Sequence, residues 1–508
     1  MGETGRTLVG RVEANALLRA LAVWMPGQRW FAGKGTAPVL RLIGSFELAS
    51  APTADVTGGA ASTADVCILT ALVLDEGGQQ SKLYQVPLTM RSVRMPDPSP
   101  SPVLVSPAAP AVPGAPGAPD PTGEPAASEA THVDPAHVFV YDGTHDLAYA
   151  AALLTLITTD SVTGPVGGAT ATGRSQTPGH PLVATASKVL SGEQSNTSII
   201  MTVTDSSGES ARPVICKVFR VLHHGNNPDV VLQSVLAKAG STKVAASIGS
   251  VVGQWDDSRM PDGRTSGHLA FAQEFLPRVE DAWRVALDAV GQGRSFAVEA
   301  RALGEATAEV HETLAAELPT LAPSPELIAG VLASMRRRHA GAVREVPALA
   351  EHSEAIERLF EEAARSAWPR LQRIHGDYHL GQVLAVPGGG WVIVDFEGEP
   401  LRPMVERNQP DLVLRDIAGM LRSFDYVAGS FAQTHPGRDA TDWAHEARDA
   451  FLDGYAARSG LELRADRALL DAFEIDKALY EAIYEVRNRP TWVTIPTTAV
   501  ARLAHRQR

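Results

Sequence analysis

Apolar and polar positions divide the chain into a strand-rich first half and a helix-rich second half. Short apolar runs at 40–46 and 67–74 predict strands in a compact module that begins with a short helix. The pattern at 183–275 predicts a small antiparallel sheet, with one helix inserted at 229–238. From about residue 281 onward, helical periods dominate. The chain is therefore predicted to have an α+β fold.

The predicted helices of the second half are interrupted by one loop and one short strand. The loop lies at 374–382 and the strand at 391–395. A separate helix is predicted at 146–158, ahead of the antiparallel sheet. The helices of the second half are predicted around 295–317, 324–342, 350–367, 411–428, 441–458 and 465–487.

A segment rich in Pro, Ala, Gly and Ser follows the first module. This composition cannot offset the entropy of ordering with buried apolar surface, so a disordered insertion is expected, with a docking tail as the alternative. The predicted organisation is a β-rich module at 1–95, the insertion at 96–135, a sheet-containing lobe at 136–276 and a helical lobe at 277–508.

Charge and cysteine content narrow the class of protein. Lys plus Arg total 45 and Asp plus Glu total 58, so the formal net charge is −13. This charge disfavours nonspecific binding to nucleic acid or to anionic membranes. Cys67 and Cys216 lie in apolar runs and predict buried thiols, not a disulfide framework or a zinc site. Neither a signal peptide nor an apolar run of membrane-spanning length is visible, so a cytoplasmic monomer is expected.

The loop at 374–382 and the strand after it carry the residue types of a phosphotransferase site. Asp377 lies in a His-Gly-Asp turn, where a carboxylate can accept the proton of an attacking hydroxyl. Gln382 follows five residues later, and Asp395 ends an apolar strand. Both offer oxygen atoms that can hold Mg²⁺ against ATP phosphates, and protein kinases use a similar order of residues. ATP and Mg²⁺ are therefore the predicted cofactors.

Other polar residues near this loop have two interpretations each. His375 and His379 flank Asp377 and are expected to organise the loop by hydrogen bonding, with metal ligation as the alternative. Glu397 and Glu399 follow the strand, and one of them either assists Mg²⁺ binding or is a hydrated surface carboxylate.

The antiparallel sheet predicts a nucleotide site. The segment 192–197 has the position of a phosphate-covering loop, so Ser195, Asn196 and Thr197 are candidate phosphate contacts, with a solvated hairpin as the alternative. Lys217 lies in an apolar strand, where an unpaired charge is costly. It is the candidate for binding the α- and β-phosphates, and a surface Lys on an edge strand is the alternative.

The end of the sheet resembles a kinase hinge. Gln273, Glu274 and Phe275 stand where the backbone of a hinge would meet the adenine edge. The order of strand, loop, strand, strand, helix and strand is typical of a kinase N-lobe. Kinases pair the strand lysine with a Glu on the following helix, but 229–238 contains no Glu, so the partner of Lys217 stays open.

Eight segments along the chain, several of them described above, resemble the corresponding segments of the actinobacterial maltokinase-type sugar kinases, a group of aminoglycoside-phosphotransferase-like kinases. The resemblance implies a bilobal, eukaryotic-protein-kinase-like fold with an N-terminal cap module, an ATP-binding intermediate lobe and a helical C-lobe. It also implies Mg-ATP and a sugar acceptor bound in an acidic groove of the C-lobe. The segments that carry it are 28–35, 140–146, 192–198, 227–229, 375–384, 394–400, 414–426 and 485–490.

Departures from the maltokinase pattern bear on the acceptor. The run at 406–413 differs, and the tail has Thr491 where Asp is usual. Some relatives of maltokinase phosphorylate glucosamine, whose ammonium group needs a carboxylate or amide partner. Asp411 and Gln409 are the candidates, with neutral drift of this loop as the alternative. The other residues predicted for the sugar site are His379, Arg422 and Tyr426.

The resulting hypothesis is an enzyme that transfers the γ-phosphoryl group of ATP to a sugar hydroxyl. Glucosamine is the leading acceptor and would give glucosamine 6-phosphate, and maltose, giving maltose 1-phosphate, is the alternative. A catalytically silent nucleotide or sugar sensor is a third reading, motivated by the missing helix Glu. An aminoglycoside-resistance enzyme would share the loop but not the segment that begins at Arg29.

Overall fold

The computed structural model describes residues 12–50, 66–96, 100–107, 137–190, 195–258, 260–399, 402–463 and 467–506. The chain forms two compact units. The first comprises Met1–Asn226 and Ser247–Phe275, and the second comprises Asn227–Ala246 and Leu276–Arg508. Over the described residues the first unit is built on two antiparallel sheets, whereas the second is largely helical, which confirms the predicted mixed fold.

The first sheet of the first unit has strands on both sides of the Pro-rich segment. Its strands are β1 (Leu40–Leu48), β2 (Val66–Asp75), β3 (Lys82–Arg91), β4 (Leu104–Pro107), β5 (His137–Asp142) and β6 (Pro165–Val166). They pair in the order β4-β5-β3-β2-β1-β6. All ten residues of β2 are buried, as its continuous apolar sequence predicts.

The core of this sheet lies against a short N-terminal helix, α1 (Ala14–Trp24). Leu17 and Leu21 of α1 join alternate residues of β2, such as Leu69 and Val73, in one cluster of buried side chains. Because successive side chains of a strand point to opposite faces, these β2 residues all face the helix. The short first helix and the strands predicted at 40–46 and 67–74 are thus present.

The first sheet extends beyond the predicted module boundary at residue 95. β4 lies inside the segment predicted as a disordered insertion, and β5 lies beyond it. β5 pairs with β3 from Leu88 opposite Asp142 to Arg91 opposite Phe139. Composition did not reveal β4 because its few apolar residues are surrounded by Pro and Ser. Most of the remaining predicted insertion lies outside the described residues.

The second sheet of the first unit is the antiparallel sheet predicted at 183–275, enlarged at one edge. Its strands are β7 (Thr170–Ser175), β8 (Leu182–Val189), β9 (Asn196–Asp205), β10 (Val214–Phe219), β12 (Ser247–Asp256) and β13 (Arg264–Glu274). They pair in the order β7-β12-β13-β10-β9-β8. A two-residue strand, β11 (Val221–Leu222), follows β10 and pairs with β3 of the first sheet. Helix α2 (Leu147–Thr158) starts at Asp146, whose carboxylate accepts from the N–H of Ala148 at 2.9 Å.

The second unit is dominated by helices. They are α3 (Pro228–Lys238), α4 (Ala282–Gly291), α5 (Ala297–Glu317), α6 (Pro325–Glu345), α7 (Ser353–Arg365), α8 (Met404–Arg407), α9 (Leu414–Thr434), α10 (Thr441–Ser459), α11 (Arg467–Asn488) and α12 (Thr494–Ala504). The helix predicted at 229–238 and the six predicted in the second half correspond to α3, α5, α6, α7, α9, α10 and α11, while α4, α8 and α12 were not predicted. None of the described helices is long and apolar enough to cross a membrane.

Two glycines allow α5 and α10 to pack at short range. A Cβ atom added at Gly304 would lie 2.1 Å from the carbonyl oxygen of Phe451. A Cβ atom added at Gly454 would lie 2.1 Å from the carbonyl oxygen of Arg301. Both distances are far below van der Waals contact, so the two backbones touch only because these positions lack side chains.

Candidate active site

A small hairpin in the second unit brings Gln382 and Asp395 together. Strands β14 (Glu280–Asp281), β15 (Val383–Ala385) and β16 (Trp391–Ile393) form a three-stranded sheet in which Val383 pairs with Ile393. Gln382 immediately precedes β15, and Asp395 follows two residues after β16. The Nε2 atom of Gln382 donates to Oδ2 of Asp395 at 3.1 Å. The two predicted metal ligands are therefore neighbours because of the hairpin register.

Two further carboxylates lie beside Asp395. One carboxylate oxygen each of Asp229, Asp395 and Glu397 lies within 4.8 Å of the others. Asp229 is fully buried at the start of α3, where its Oδ1 accepts from the Phe396 N–H at 2.7 Å. It thereby fixes the loop that carries Asp395, whose backbone has a positive φ of 64°.

These side chains fit a hard divalent cation. The donor set consists of carboxylate oxygens from three residues, with the amide of Gln382 next to them. Oxygen-only ligands of this kind suit Mg²⁺ rather than the softer transition metals. Among the described residues this cluster contains neither His nor Cys, so the alternative of metal ligation by His375 or His379 gains no support from it.

The loop with Asp377 is anchored through its backbone by Asp416 of α9. The two oxygens of the Asp416 carboxylate accept from the N–H groups of His375 and Gly376, each at 2.8 Å. His311 of α5 lies 3.0 Å from the same carboxylate and holds it from the other side. The anchor is buried, since Asp416 is 1% exposed. A side chain from a helix thus sets the position of the loop.

The histidines of the loop act through hydrogen bonds, as expected. The Nε2–H group of His375 donates to the carbonyl of Val394 at 2.9 Å, and its Nδ1 accepts from the N–H of Asp377 at 3.3 Å. This ring ties the Asp377 turn to the strand end before Asp395. The Nδ1 of His379 accepts from the Gly381 N–H at 3.1 Å, and burial lowers the pKa of this imidazole.

A lysine from α11 contacts the predicted base. The Nζ of Lys477 lies 3.3 Å from Oδ1 of Asp377 and 2.8 Å from Oε1 of Glu399. Burial disfavours the charge of Lys477, but Glu399 and then Asp377 outweigh it and raise the pKa of the ammonium group. Burial opposes ionisation of Glu399 as well, yet Lys477 and Arg415 lower its pKa to about 2. Glu399 is thus an ion-pair partner of Lys477, and not the hydrated surface carboxylate allowed by the sequence.

A cavity of about 640 Å³ opens beside Asp377 and Lys477 in the second unit. Its polar lining includes the loop residue His379 and the carboxylates Glu481 and Glu485. Its aromatic lining consists of Trp283, Tyr426, Tyr480, Tyr484 and Trp492. Apolar rings with a few convergent polar groups are typical of sites for small polar ligands.

The carboxylates of the cavity lie in one stripe on α11. Lys477, Glu481 and Glu485 are spaced four residues apart and therefore share a helix face. Oε2 of Glu481 accepts from Arg422 at 2.8 Å, and burial, ahead of this pairing, raises the pKa of Glu481. Glu485 accepts from the hydroxyl of Tyr426 at 3.1 Å.

The predicted sugar-site residues divide between this cavity and other places. His379 and Tyr426 line the cavity, and Arg422 is buried behind it as the partner of Glu481. Gln409 is exposed, and neither it nor Asp411 is among the residues that line the cavity.

Asp411 differs from its prediction as an ammonium partner because it is already neutralised within the protein. Its Oδ2 accepts from Arg415 at 2.8 Å and from Arg402 at 3.1 Å. Burial alone would raise the pKa of Asp411, but these two arginines lower it. A carboxylate held by two guanidinium groups has little left to offer a ligand cation.

The predicted nucleotide residues of the first unit lie on adjacent strands. Lys217 of β10 stands opposite Ser198 of β9 and Phe271 of β13, and it is half-buried. Asn196 and Gln273 pair with Phe219 and Ile215 of β10. Because residues two apart on a strand share a face, Lys217, Asn196 and Gln273 face the same side of the sheet.

Thr197 lies on the opposite face and has a different partner from the predicted phosphate. Its hydroxyl accepts from Nε of Arg220 at 2.8 Å. The Nη2 of this arginine also donates to Asp142 at 2.8 Å, and its guanidinium stacks 4.7 Å from the ring centre of Trp30. Arg220 is completely buried. Thr197 is therefore part of the contact between the two sheets of the first unit.

The remaining nucleotide candidates have local contacts. Ser195 is exposed just before β9, and 192–194 lie outside the described residues. Glu274 is paired with Arg212 at 2.7 Å, and the N–H of Phe275 donates to the carbonyl of Pro213 at 2.7 Å. Their contact with adenine stays a prediction.

Sequence reasoning missed four residues of the second-unit site. Asp229, Lys477, Glu481 and Glu485 are between about 100 and 150 residues away from Asp377 in the chain, so no local motif links them to it. One signal was available: Lys477, Glu481 and Glu485 recur every four residues, and charged residues that share a helix face in this way indicate a polar surface directed at a partner or a ligand.

Comparison with protein families finds two similar segments. Residues 24–146 match the maltokinase N-terminal cap domain, and residues 262–473 match the phosphotransferase enzyme family. The first half of the chain is therefore similar to a maltokinase-type cap, and the second half is similar to phosphotransferases.

Two curated relatives are glucosamine kinases. That of Streptacidiphilus jiangxiensis is 29% identical over 289 residues, which are 53% of this chain and 64% of the relative. That of Mycolicibacterium smegmatis is 35% identical over 137 residues, which are 25% of this chain and 33% of the relative. The chain thus aligns with less than two thirds of the length of either relative.

A solved glucosamine kinase shares the fold of this protein. The structure, a complex with glucosamine, ADP and inorganic phosphate, superposes with a TM-score of 0.59 and 20% sequence identity. The superposition covers 96% of this chain and 98% of the other. The likeness extends over nearly the whole length of both chains and shows a shared fold.

Proposed function

We propose that this protein is an ATP-dependent sugar kinase, with glucosamine as its acceptor and glucosamine 6-phosphate as its product. The observation that carries the proposal is the cavity beside Asp377, which combines a carboxylate base with aromatic walls and the carboxylate of Glu481. A sugar needs flat apolar surfaces for its ring, and an amino sugar also needs an anion for its ammonium group. The curated glucosamine kinase relatives support the same acceptor.

In the proposed mechanism, the chain supplies position and charge. Asp377 orients the sugar hydroxyl and accepts its proton as the oxygen attacks phosphorus. Gln382 and Asp395, with Asp229 and Glu397 beside them, would hold Mg²⁺, and Lys217 would neutralise phosphate charge. When bound, Mg-ATP supplies the phosphoryl group. Most of the rate enhancement would then come from positioning and electrostatics.

Glu481 is the proposed partner of the ammonium group, in place of Asp411. Oε2 of Glu481 is taken by Arg422, while Oε1 has no hydrogen-bond donor in the part of the chain that the structure describes. Burial raises the pKa of Glu481 although Arg422 and Lys477 both oppose the rise, so these two cations do not fully compensate the cost of burying its charge. A ligand cation would complete that compensation.

Maltose is the second candidate acceptor because the cap matches that of maltokinases. A catalytically silent sensor is a weaker alternative, since Asp377, Gln382 and Asp395 are all retained. The deciding experiment measures ADP release with glucosamine, maltose, glucose and an aminoglycoside, each with and without Mg²⁺. The proposal requires the highest kcat/KM for glucosamine and no turnover without Mg²⁺. A preference for maltose would make the protein a maltokinase, and no turnover with any acceptor would favour the sensor.

A further inference from the structure

Lys477 reaches the catalytic loop from α11, one hundred residues further along the chain. We propose that Lys477 is the positioning residue of the general base: it holds the Asp377 carboxylate by one oxygen and leaves the other oxygen for the acceptor hydroxyl. This role rests on the proposed function, because it concerns how the base of that reaction is aimed. The following geometry supports it.

The contacts of Lys477 are unequal. Its ammonium group lies closer to Glu399, at 2.8 Å, than to Asp377, at 3.3 Å. Glu399 is only 4% exposed and serves as the main counter-ion of the lysine. A lysine whose charge is compensated mainly by Glu399 can hold the Asp377 carboxylate in a fixed orientation.

The second carboxylate oxygen of Asp377, Oδ2, has different surroundings. Oδ1 accepts from Lys477, whereas no donor to Oδ2 is found in the described part of the chain. Both Asp377 and Lys477 line the same cavity. Oδ2 can therefore accept a hydrogen bond from a group that enters the cavity.

The proton balance of the step is simple. As the sugar oxygen forms its bond to the γ-phosphorus, the bond between that phosphorus and the ADP oxygen breaks, and the hydroxyl proton passes to Asp377. Lys477 keeps all its protons throughout. It acts only through Asp377, and its removal should matter only when Asp377 is able to act as a base.

The test is a double-mutant cycle with Lys477→Met and Asp377→Asn, measured by single-turnover transfer to glucosamine. Lys477→Met alone should lower the rate about tenfold to a hundredfold, the size expected for a charge-assisted hydrogen bond, with KM for ATP nearly unchanged. In the Asp377→Asn background it should have almost no further effect. Equal losses in both backgrounds, an unchanged rate, or a matching rise in KM for ATP would overturn the proposal.

Two controls separate positioning from folding. Asp471→Asn removes a buried, ion-paired charge from the same helix, away from the cavity. It should lower the melting temperature while the transfer rate stays the same. Glu399→Gln combined with Lys477→Met removes the carboxylate that would be left unpaired, so this double variant should fold and still transfer slowly. A normal rate in the double variant would contradict the role of Lys477.

The proposed function and the role of Lys477 can fail separately. If the wild type phosphorylates no sugar, the proposed function is wrong. The same cycle is then run on ATP hydrolysis, where water replaces the sugar and Asp377 still serves as base. Additive losses of the hydrolysis rate in that cycle would contradict the positioning role of Lys477, and coupled losses would support it.

Discussion

Neighbouring residues hold both the backbone around Asp377 and its carboxylate in place. The N–H groups just before it are held by Asp416, its own N–H is held by His375, and its Oδ1 is held by Lys477. Each contact comes from a different element, so no single substitution outside Asp377 removes all of them. Such redundancy is typical of a group whose orientation matters more than its stability.

Asp377→Asn should therefore abolish chemistry and leave the fold intact. The amide has the same shape but is not a base, a role worth on the order of 10² to 10⁴ in rate. Phosphoryl transfer should fall by this factor, while binding of ADP, followed by calorimetry, stays close to that of the wild type. A variant within about tenfold of the wild type would remove Asp377 from the role of base.

Glu481→Gln should discriminate between amino and neutral sugars. Loss of a charge-assisted contact to an ammonium group costs roughly 1.5–3 kcal/mol, so KM for glucosamine should rise about tenfold to a hundredfold. KM for glucose, which has no ammonium group, should change much less.

Asp411→Ala is the matched control for this acceptor test. It removes a carboxylate that is already paired with Arg402 and Arg415 outside the cavity, so it should affect both sugars alike. If Asp411→Ala is the variant that selectively weakens glucosamine, the sequence-based assignment of the ammonium partner is right and the Glu481 assignment is wrong.

At the scale of elements, α9 and the loop that carries Asp377 meet at a glycine. A Cβ atom at Gly419 would lie 2.4 Å from the carbonyl oxygen of Tyr378, the residue after Asp377. The helix also carries the Asp416 anchor one turn earlier. The loop is thus in close contact with α9 at Gly419 and hydrogen-bonded to it at Asp416. The position of the loop therefore depends on this helix.

Gly419→Ala and Gly454→Ala form a matched pair. Both add one methyl group where backbone lies within 2.4 Å, so each should lower the free energy of unfolding by roughly 1–3 kcal/mol. Only Gly419→Ala should displace the Asp377 loop and reduce kcat, by roughly tenfold to a hundredfold. Chemical denaturation and steady-state kinetics on both variants check this. Equal kcat values would show that the loop does not depend on Gly419.

Periodicity predicted the elements better than it predicted their contacts. The ends of α5, α10 and α11 lie within about two residues of the prediction because their apolar positions repeat with a helical period. The strand that precedes Asp395 was also predicted, since its apolar run is local, although its pairing partner β15 was missed. Lys477 and Asp229 were not predicted, because their partners are set by the packing of helices distant in sequence. The pairing of β4 with β5 and of β5 with β3 was also missed, because strand partners that are distant in the chain leave no local pattern.

At the scale of the whole chain, several buried polar contacts join the two sheets of the first unit. Arg220 joins Thr197 of the second sheet to Asp142 and Trp30 of the first part of the chain. Gln85 of β3 adds hydrogen bonds from its Nε2 to the carbonyls of Phe219 and Leu269. Trp30 and Asp142 belong to the segments 28–35 and 140–146, which carry part of the family resemblance. These segments therefore have a structural role, although neither contributes a predicted catalytic residue.

Arg220→Met should destabilise the first unit strongly. It leaves the buried Asp142 without its ion-pair partner, a loss of roughly 3–5 kcal/mol in the free energy of unfolding. Urea titration followed by tryptophan fluorescence measures the change. Addition of Asp142→Asn should recover part of it, because the unpaired charge is then gone. A change below about 1 kcal/mol, the size for exposed pairs, would mean that the pair is effectively solvated.

The stripe of cavity residues on α11 has a consequence for how acceptor preference can change over evolutionary time. Tyr480, Glu481, Tyr484 and Glu485 are side chains of a single helix, whereas the backbone of the loop that carries Asp377 is held by Asp416 of α9. New acceptors can therefore be explored by point substitutions on a rigid backbone, with the chemical step left in place. A saturation library limited to these four positions is the natural starting point for directed evolution toward other sugars.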